Sequence, residues 1–155
     1  MCFSSNEIEI WEAVAKRINE RKESLENYSK LVDKKSSGIE GWLKVETVAA
    51  LKSISKIERV IPQNEGPDLK IIFHSGEKQL LELKAHNSEH FPWCSDWIGG
   101  RKENLEEAPC LFLQKKGKLF ERGLERAKKK GFITEHKDIG GNWVIGLMKL
   151  KKAKA

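Results

Sequence analysis

The chain has 155 residues, 39 % of them hydrophobic, which suffices for one globular core but not for two, so we predict a single domain over 1–155. Basic residues outnumber acidic ones by 29 to 23, and the resulting net charge of +6 favours a polyanionic partner only weakly. No stretch has the length of a membrane span, the N-terminus lacks a signal-peptide pattern, and three cysteines without regular spacing argue against a disulfide framework; we therefore expect a cytoplasmic protein with no membrane segment.

Hydrophobic spacing predicts helices first and strands afterwards. An N-terminal helix is expected over 1–32, and a second helix is expected from Ile39 to about Ile54, after the turn signals of residues 33–38. Three strand-like runs with short connections then predict an antiparallel meander at 56–62, 67–73 and 78–86. Helix and meander together span residues 39–86.

The second half of the chain is less regular. Pro92 and the pair Gly99-Gly100 predict a long loop over 87–108 that ends in a short helix near 101–108. Segment 110–150 predicts a buried strand at 110–114, a basic helix stopped by Gly131, and a hairpin turning at residues 140–142, followed by a basic tail at 151–155. Because the strands carry apolar residues on both sides, we predict an α/β fold with a central mixed, mostly antiparallel sheet and helices on both faces.

The turn His74-Ser75-Gly76 sets the register of two strands that carry Asp68 and Glu82. A three-residue loop with Gly76 in the left-handed conformation puts Asp68 opposite Glu82, so the two carboxylates share one face of the hairpin with Lys84. A two-residue loop would instead put the two acids on opposite faces. The alternative to a functional site is a solvated cross-strand charge cluster.

Two facing carboxylates repel each other unless a cation lies between them or one is protonated. Oxygen ligands favour a hard ion such as Mg²⁺, and Lys84 could then position an attacking water. Glu46 falls on the apolar stripe of the second helix, where a carboxylate needs either a cation or a salt bridge. Glu40 is interpreted as a surface or helix-start acid.

This pattern resembles the PD-(D/E)xK nuclease superfamily over residues 39–86. The residues that match the family motif are Glu46 ahead of the sheet, Pro67-Asp68 at the start of one strand, and Glu82-Leu83-Lys84 on the next. The resemblance implies a restriction-endonuclease-like fold and an Mg²⁺-dependent DNA endonuclease, with Mn²⁺ able to replace Mg²⁺. The family core continues with a helix and a fourth strand, for which this chain offers only the short segment near 101–108 and then 110–114.

The resemblance also implies a role for each matched residue. Asp68, Glu82 and the main-chain carbonyl of Leu83 would bind the metal, and Glu46 would complete the site or orient a second ion. Lys84 would position and activate the water for in-line attack on a DNA phosphate. Restriction, repair and recombination all remain open as biological roles.

Basic residues crowd the segment 115–130, where a solvated helix face and a phosphate-binding face are equally compatible with the charge pattern. With the nuclease resemblance, we predict DNA-backbone contacts by Lys115, Lys116, Lys118, Arg122, Arg126 and Lys129. Cutting both strands requires two sites, so a homodimer is expected. No glycine-rich phosphate loop precedes a helix, and no nucleotide cofactor is expected.

Three alternatives accompany this interpretation. His86, His90, Cys94 and Cys110 have ligand chemistry suited to zinc, although Pro92 interrupts the helix that would align them. Trp93, Trp97 and Trp143 could stack on nucleotides but are more typical of a core or an interface. The protein could also be a non-catalytic nucleic-acid-binding domain on a nuclease scaffold, or a nuclease for RNA or branched DNA.

Overall fold

The computed structural model describes residues 3–31, 38–64, 67–86 and 108–150. Within these ranges the fold is α/β, with four helices and a sheet of six strands. The elements are α1 (Ser5–Glu20), α2 (Lys22–Leu31), α3 (Gly38–Leu51), β1 (Ile57–Pro62), β2 (Leu69–Phe73), β3 (Lys78–His86), β4 (Cys110–Lys115), α4 (Lys118–Lys129), β5 (Phe132–Asp138) and β6 (Trp143–Leu150).

The strands form one sheet in the order β1-β2-β3-β4-β6-β5. Every neighbouring pair is antiparallel except β3 and β4, which are parallel. The predicted meander is therefore confirmed as β1-β2-β3, and the predicted terminal hairpin as β5-β6. A mixed, mostly antiparallel sheet is likewise confirmed.

The N-terminal region contains two helices, so the prediction of one helix over 1–32 is wrong. Arg21 interrupts it with φ −107° and ψ 16°, and its N–H donates to the carbonyls of Arg17 and Ile18. Between the buried residues Ile18 and Leu25 the sequence is polar throughout. No apolar side chain in that stretch holds a continuous helix against the core, and a second helix starts instead.

Helix α3 ends at Leu51, three residues earlier than predicted. The Ser53 hydroxyl donates to the Ala50 carbonyl over 2.7 Å, and the Ile54 N–H donates to the Leu51 carbonyl over 3.1 Å. A serine side chain that bonds the backbone competes with continuation of the helix, and a tight turn results. Ile54 is nevertheless buried, as its place in the apolar stripe predicts.

The buried residues form two clusters. The larger joins α1 and α3 to side chains of the sheet that include Ile71, Leu83 and Leu111. The smaller joins Phe120, Leu124 and Ala127 of α4 to other sheet residues, among them Cys110, Phe112, Val144 and Met148. Along β4 successive residues alternate between the clusters, as the two-residue period of a strand requires.

The β2–β3 turn has the predicted three-residue form. Gly76 has φ +90°, its N–H donates to the Phe73 carbonyl over 2.9 Å, and the Phe73 N–H donates to the Glu77 carbonyl over 3.0 Å. Residues Leu69 and Leu81 are paired further along the two strands. The two-residue loop and its alternative register are thereby excluded.

Candidate metal and phosphodiester site

Asp68 and Glu82 belong to one face of the β2–β3 hairpin. Ladder partners run from Ile72 with Lys78 to Leu69 with Leu81, and one further step places Asp68 opposite Glu82. Opposed residues of an antiparallel pair share a face, with their Cβ atoms roughly 5 Å apart. This is the register that the sequence predicts.

The β2–β3 ladder ends at Leu69–Leu81, one residue short of Asp68. In an antiparallel ladder, every second pair of facing residues exchanges both of its N–H···O bonds. Phe73–Glu77 and Leu69–Leu81 are pairs of this kind, and the next one along the strands would be Pro67–Leu83. Proline has no N–H for the Leu83 carbonyl. The Leu83 N–H instead donates to Oδ2 of Asp68 over 2.8 Å. The main-chain groups of Leu83 and the Asp68 carboxylate therefore lie side by side.

Glu82 and Lys84 lie on the side of β3 opposite to Leu81 and Leu83, which pack in the larger core cluster. Glu82 is only 5 % exposed, while Lys84 is half-buried. In the parallel ladder Glu82 is the partner of Cys110, and Lys84 is the partner of Phe112. The carboxylate and the ammonium are thus held on a rigid strand at the sheet's interior.

The Cys110 thiol responds to the charges around it. Burial raises the pKa of this thiol well above its usual value, and the negative charges of Glu82, Glu40 and Asp68 raise it further, whereas Lys84 opposes the increase. The thiol therefore feels the charges of Glu82, Lys84, Glu40 and Asp68.

Glu46 forms salt bridges with two arginines of the N-terminal region. Its carboxylate accepts hydrogen bonds from Nε of Arg17 over 2.5 Å and from an Nη of Arg21 over 3.5 Å. Glu46 is 5 % exposed, which agrees with its predicted burial. Its neighbours match the alternative of a structural salt bridge, and its metal-binding role stays a prediction without support from this geometry.

Glu40 lies in the first turn of α3, so its interpretation as a helix-start acid is confirmed. Its side chain is half-buried. On the same side of the helix Leu43, Thr47 and Leu51 are buried. The apolar residue at 51 was the sequence signal that the buried side of the helix extends this far.

The donor set fits a hard cation better than zinc. Carboxylates at 68 and 82 and a main-chain carbonyl at 83 are oxygen ligands of the kind that Mg²⁺ takes while it keeps several waters. Within the described ranges, no three His, Cys, Asp or Glu side chains are grouped so as to hold a metal by themselves. The fit to Mg²⁺ therefore depends on the carbonyl of Leu83 and on waters or phosphate oxygens in addition to the carboxylates.

Of the predicted zinc ligands, His90 and Cys94 lie outside the described residues, as do Trp93, Trp97 and the loop at 87–107. His86 is half-buried on β3, and burial lowers its pKa, with the nearby Lys84 charge lowering it further. Trp143 is 1 % exposed and donates from Nε1 to Oε1 of Glu26 over 2.9 Å. Its interpretation as a core residue is confirmed.

Helix α4 has the amphipathic form predicted for the basic segment. Phe120, Leu124 and Ala127 are buried, whereas its outer side is exposed and carries Lys118, Arg122, Arg126 and Lys129 together with Glu121 and Glu125. Before the helix, the half-buried Lys115 lies with its ammonium 5.6 Å from the ring centroid of Trp143, and Lys116 forms a salt bridge with Asp138 over 2.5 Å. Four of the six predicted DNA contacts are thus on one exposed helix.

Comparisons with known proteins return no relative. No protein-family model matches the chain, and neither curated proteins nor solved structures give a match. None of the helices in the described ranges is both long and apolar enough to cross a membrane.

Proposed function

We propose that the chain is an Mg²⁺-dependent DNA endonuclease with a restriction-endonuclease-like fold and helices on both faces of its sheet. The observation that supports this proposal is the hydrogen bond from the Leu83 N–H to Asp68, together with a register that puts Asp68 on the same face as Glu82 and Lys84. The parallel pairing of β4 with β3 further agrees with a family core whose fourth strand follows a crossover helix.

Each residue has a defined task in this proposal. Asp68, Glu82 and the Leu83 carbonyl would hold the metal, and Glu40 would take the part that the family resemblance implies for Glu46. A bound Mg²⁺ would neutralise charge on the phosphate and lower the pKa of a bound water. Lys84 positions that water and stabilises the charge that builds on the phosphate oxygens.

A cleavage assay tests the proposal directly. Supercoiled plasmid incubated with the purified chain and Mg²⁺ or Mn²⁺ should be nicked or linearised, and chelation with EDTA should stop the reaction. Lys84→Ala should abolish cleavage and leave DNA binding in place, whereas Lys16→Ala, on the exposed side of α1, should behave as the wild type. Absence of metal-dependent cleavage on linear, supercoiled, branched and single-stranded DNA and on RNA would refute it.

A non-catalytic nucleic-acid-binding domain is the second candidate. It is favoured by the engagement of Asp68 Oδ2 with the Leu83 N–H, since this acid already has a structural partner. Against it stands the cost of two carboxylates that face a polyanion and contribute nothing to binding. The same assay separates the two, because a binding module shifts DNA in a gel and never cuts it.

Contact of DNA with the basic side of α4, and a homodimer that supplies two active sites, belong to the proposal as well. Arg122 and Arg126 are exposed one turn apart and can reach successive phosphates. Such contacts carry affinity that falls with salt and carry little sequence information. The dimer is tested by the molar mass in solution, measured by light scattering.

A further inference from the structure

The face of β1–β3 that carries Asp68 and Glu82, here called the acid face, also carries a row of cations. Its charged members, placed by strand register, are Arg59 on β1, Asp68 and Lys70 on β2, and Lys78, Glu82 and Lys84 on β3. Lys70 follows Asp68 by two residues and Lys84 follows Glu82 by two, and because β2 and β3 are antiparallel these two lysines lie on opposite sides of the acid pair.

The row continues beyond Lys70. Ile72 is the next residue of β2 on the acid face, and its two ladder partners are Arg59 on β1 and Lys78 on β3. Both partners are exposed, and Lys70 is half-buried. Residues two apart along a strand are roughly 6.6 Å from each other, so one such step separates Lys70 from the level of Arg59 and Lys78, and two steps, with the acid pair between them, separate Lys70 from Lys84.

We propose that the acid face is a track for the DNA backbone, which runs along β2 and β3 and extends to both sides of the acid pair. Phosphates on one side meet Lys84, and phosphates on the other side meet first Lys70 and then Arg59 with Lys78. This inference rests on the proposed function for the position of the cleaved phosphate, and it adds a binding surface separate from α4. Contacts on both sides of the cleaved bond fit a cut within a strand rather than removal of nucleotides from an end.

Charge balance supports a polyphosphate as the occupant. Arg59, Lys70, Lys78 and Lys84 give the face four positive charges against the two negative charges of the acids. A divalent cation at the acid pair would cancel those two, so the whole track becomes positive when metal is bound. A linear polyanion with regularly spaced charges matches such a row better than a compact anion does.

The experiment measures binding apart from cleavage. A short fluorescein-labelled DNA duplex is titrated with the full chain by fluorescence anisotropy at several salt concentrations, with Ca²⁺ replacing Mg²⁺. Lys70→Ala and Arg59→Ala should each weaken binding several-fold and lower the slope of log K against log salt by about one unit. Lys16→Ala and Lys30→Ala, which remove exposed lysines of α1 and α2, are matched controls and should leave the slope unchanged. Circular dichroism confirms that the variants are folded.

The outcomes separate the track from the nuclease. Wild-type slope and affinity in both Lys70→Ala and Arg59→Ala would overturn the track even if plasmid cleavage is observed. Reduced slopes in a protein that never cleaves DNA would leave the track standing and refute the nuclease. If both hold, covalently closed circular DNA should be cut as readily as linear DNA, and a strict requirement for a free end would contradict the two-sided contact.

Discussion

The main-chain N–H of Leu83 donates a 2.8 Å hydrogen bond to Oδ2 of Asp68, at the point where the β2–β3 ladder stops. A side chain thereby replaces the backbone acceptor that a longer β2 would supply. The bond holds the carboxylate at the strand edge next to the Leu83 carbonyl. One contact thus ends a strand and orients a candidate metal ligand.

This double role predicts a difference between two substitutions of Asp68. Asp68→Asn keeps an oxygen that can accept from the Leu83 N–H, so the free energy of unfolding should change little, while metal affinity and cleavage are lost. Asp68→Ala leaves that N–H without its acceptor and should cost in addition about 1–3 kcal/mol. Urea unfolding and calorimetric titration with Mg²⁺ check the two parts separately. Equal stability of the two variants would show that the bond contributes nothing.

Glu40 and Glu46 should respond in opposite ways to the same change. Glu40→Gln removes a charge near Cys110 and should reduce Mg²⁺ affinity and cleavage strongly, with little loss of stability. Glu46→Gln weakens the bonds from Arg17 and Arg21 and should lower the free energy of unfolding by about 1–3 kcal/mol, with cleavage per folded molecule retained. Paired measurements of unfolding and cleavage decide it, and a Glu46→Gln variant that is stable but inactive would restore the original assignment.

Local pattern predicted the acid pair well because the deciding information is local. The turn His74-Ser75-Gly76 fixes the register, and the two-residue period then fixes which side chains share a face with Glu82. All six strands begin or end near residues that the sequence predicts. Strand pairing between sequence neighbours needs no knowledge of the rest of the molecule.

Packing between distant elements was not predictable in the same way. Glu46 was expected to be buried and is, but its partner Arg17 comes from another helix, and periodicity cannot name a partner. The same limit applies to Glu40, whose surroundings depend on how α3 lies on β3. The buried side of α3 also includes Thr47 and Leu51, which the predicted apolar stripe leaves out.

Gly146 should tolerate no side chain. It is the ladder partner of Phe112, and a Cβ built on it would overlap the Phe112 ring. Gly146→Ala should therefore destabilise the fold by about 1–3 kcal/mol through overpacking. The double variant Gly146→Ala/Phe112→Leu should recover part of this loss, since the smaller side chain makes room. Thermal unfolding of the three variants measures the coupling, and strictly additive losses would show that the cost of Gly146→Ala does not arise from the Phe112 ring.

His86 should report the charge of Lys84. Burial and then Lys84 lower the pKa of this imidazole below its usual value of about 6.5. Just below that pH, His86 binds a proton in the unfolded chain but stays neutral in the folded chain. The contribution of His86 to stability is therefore present above pH ~6.5 and is lost as pH falls through the lowered folded pKa.

In an NMR titration Lys84→Gln should move the His86 pKa upward yet leave it below the ordinary value, because burial remains. His86→Gln should flatten the fall in unfolding free energy on the acid side of neutrality relative to the wild type. If the His86 pKa were the same in the wild type and in Lys84→Gln, the Lys84 ammonium would be too far from the imidazole to affect its protonation.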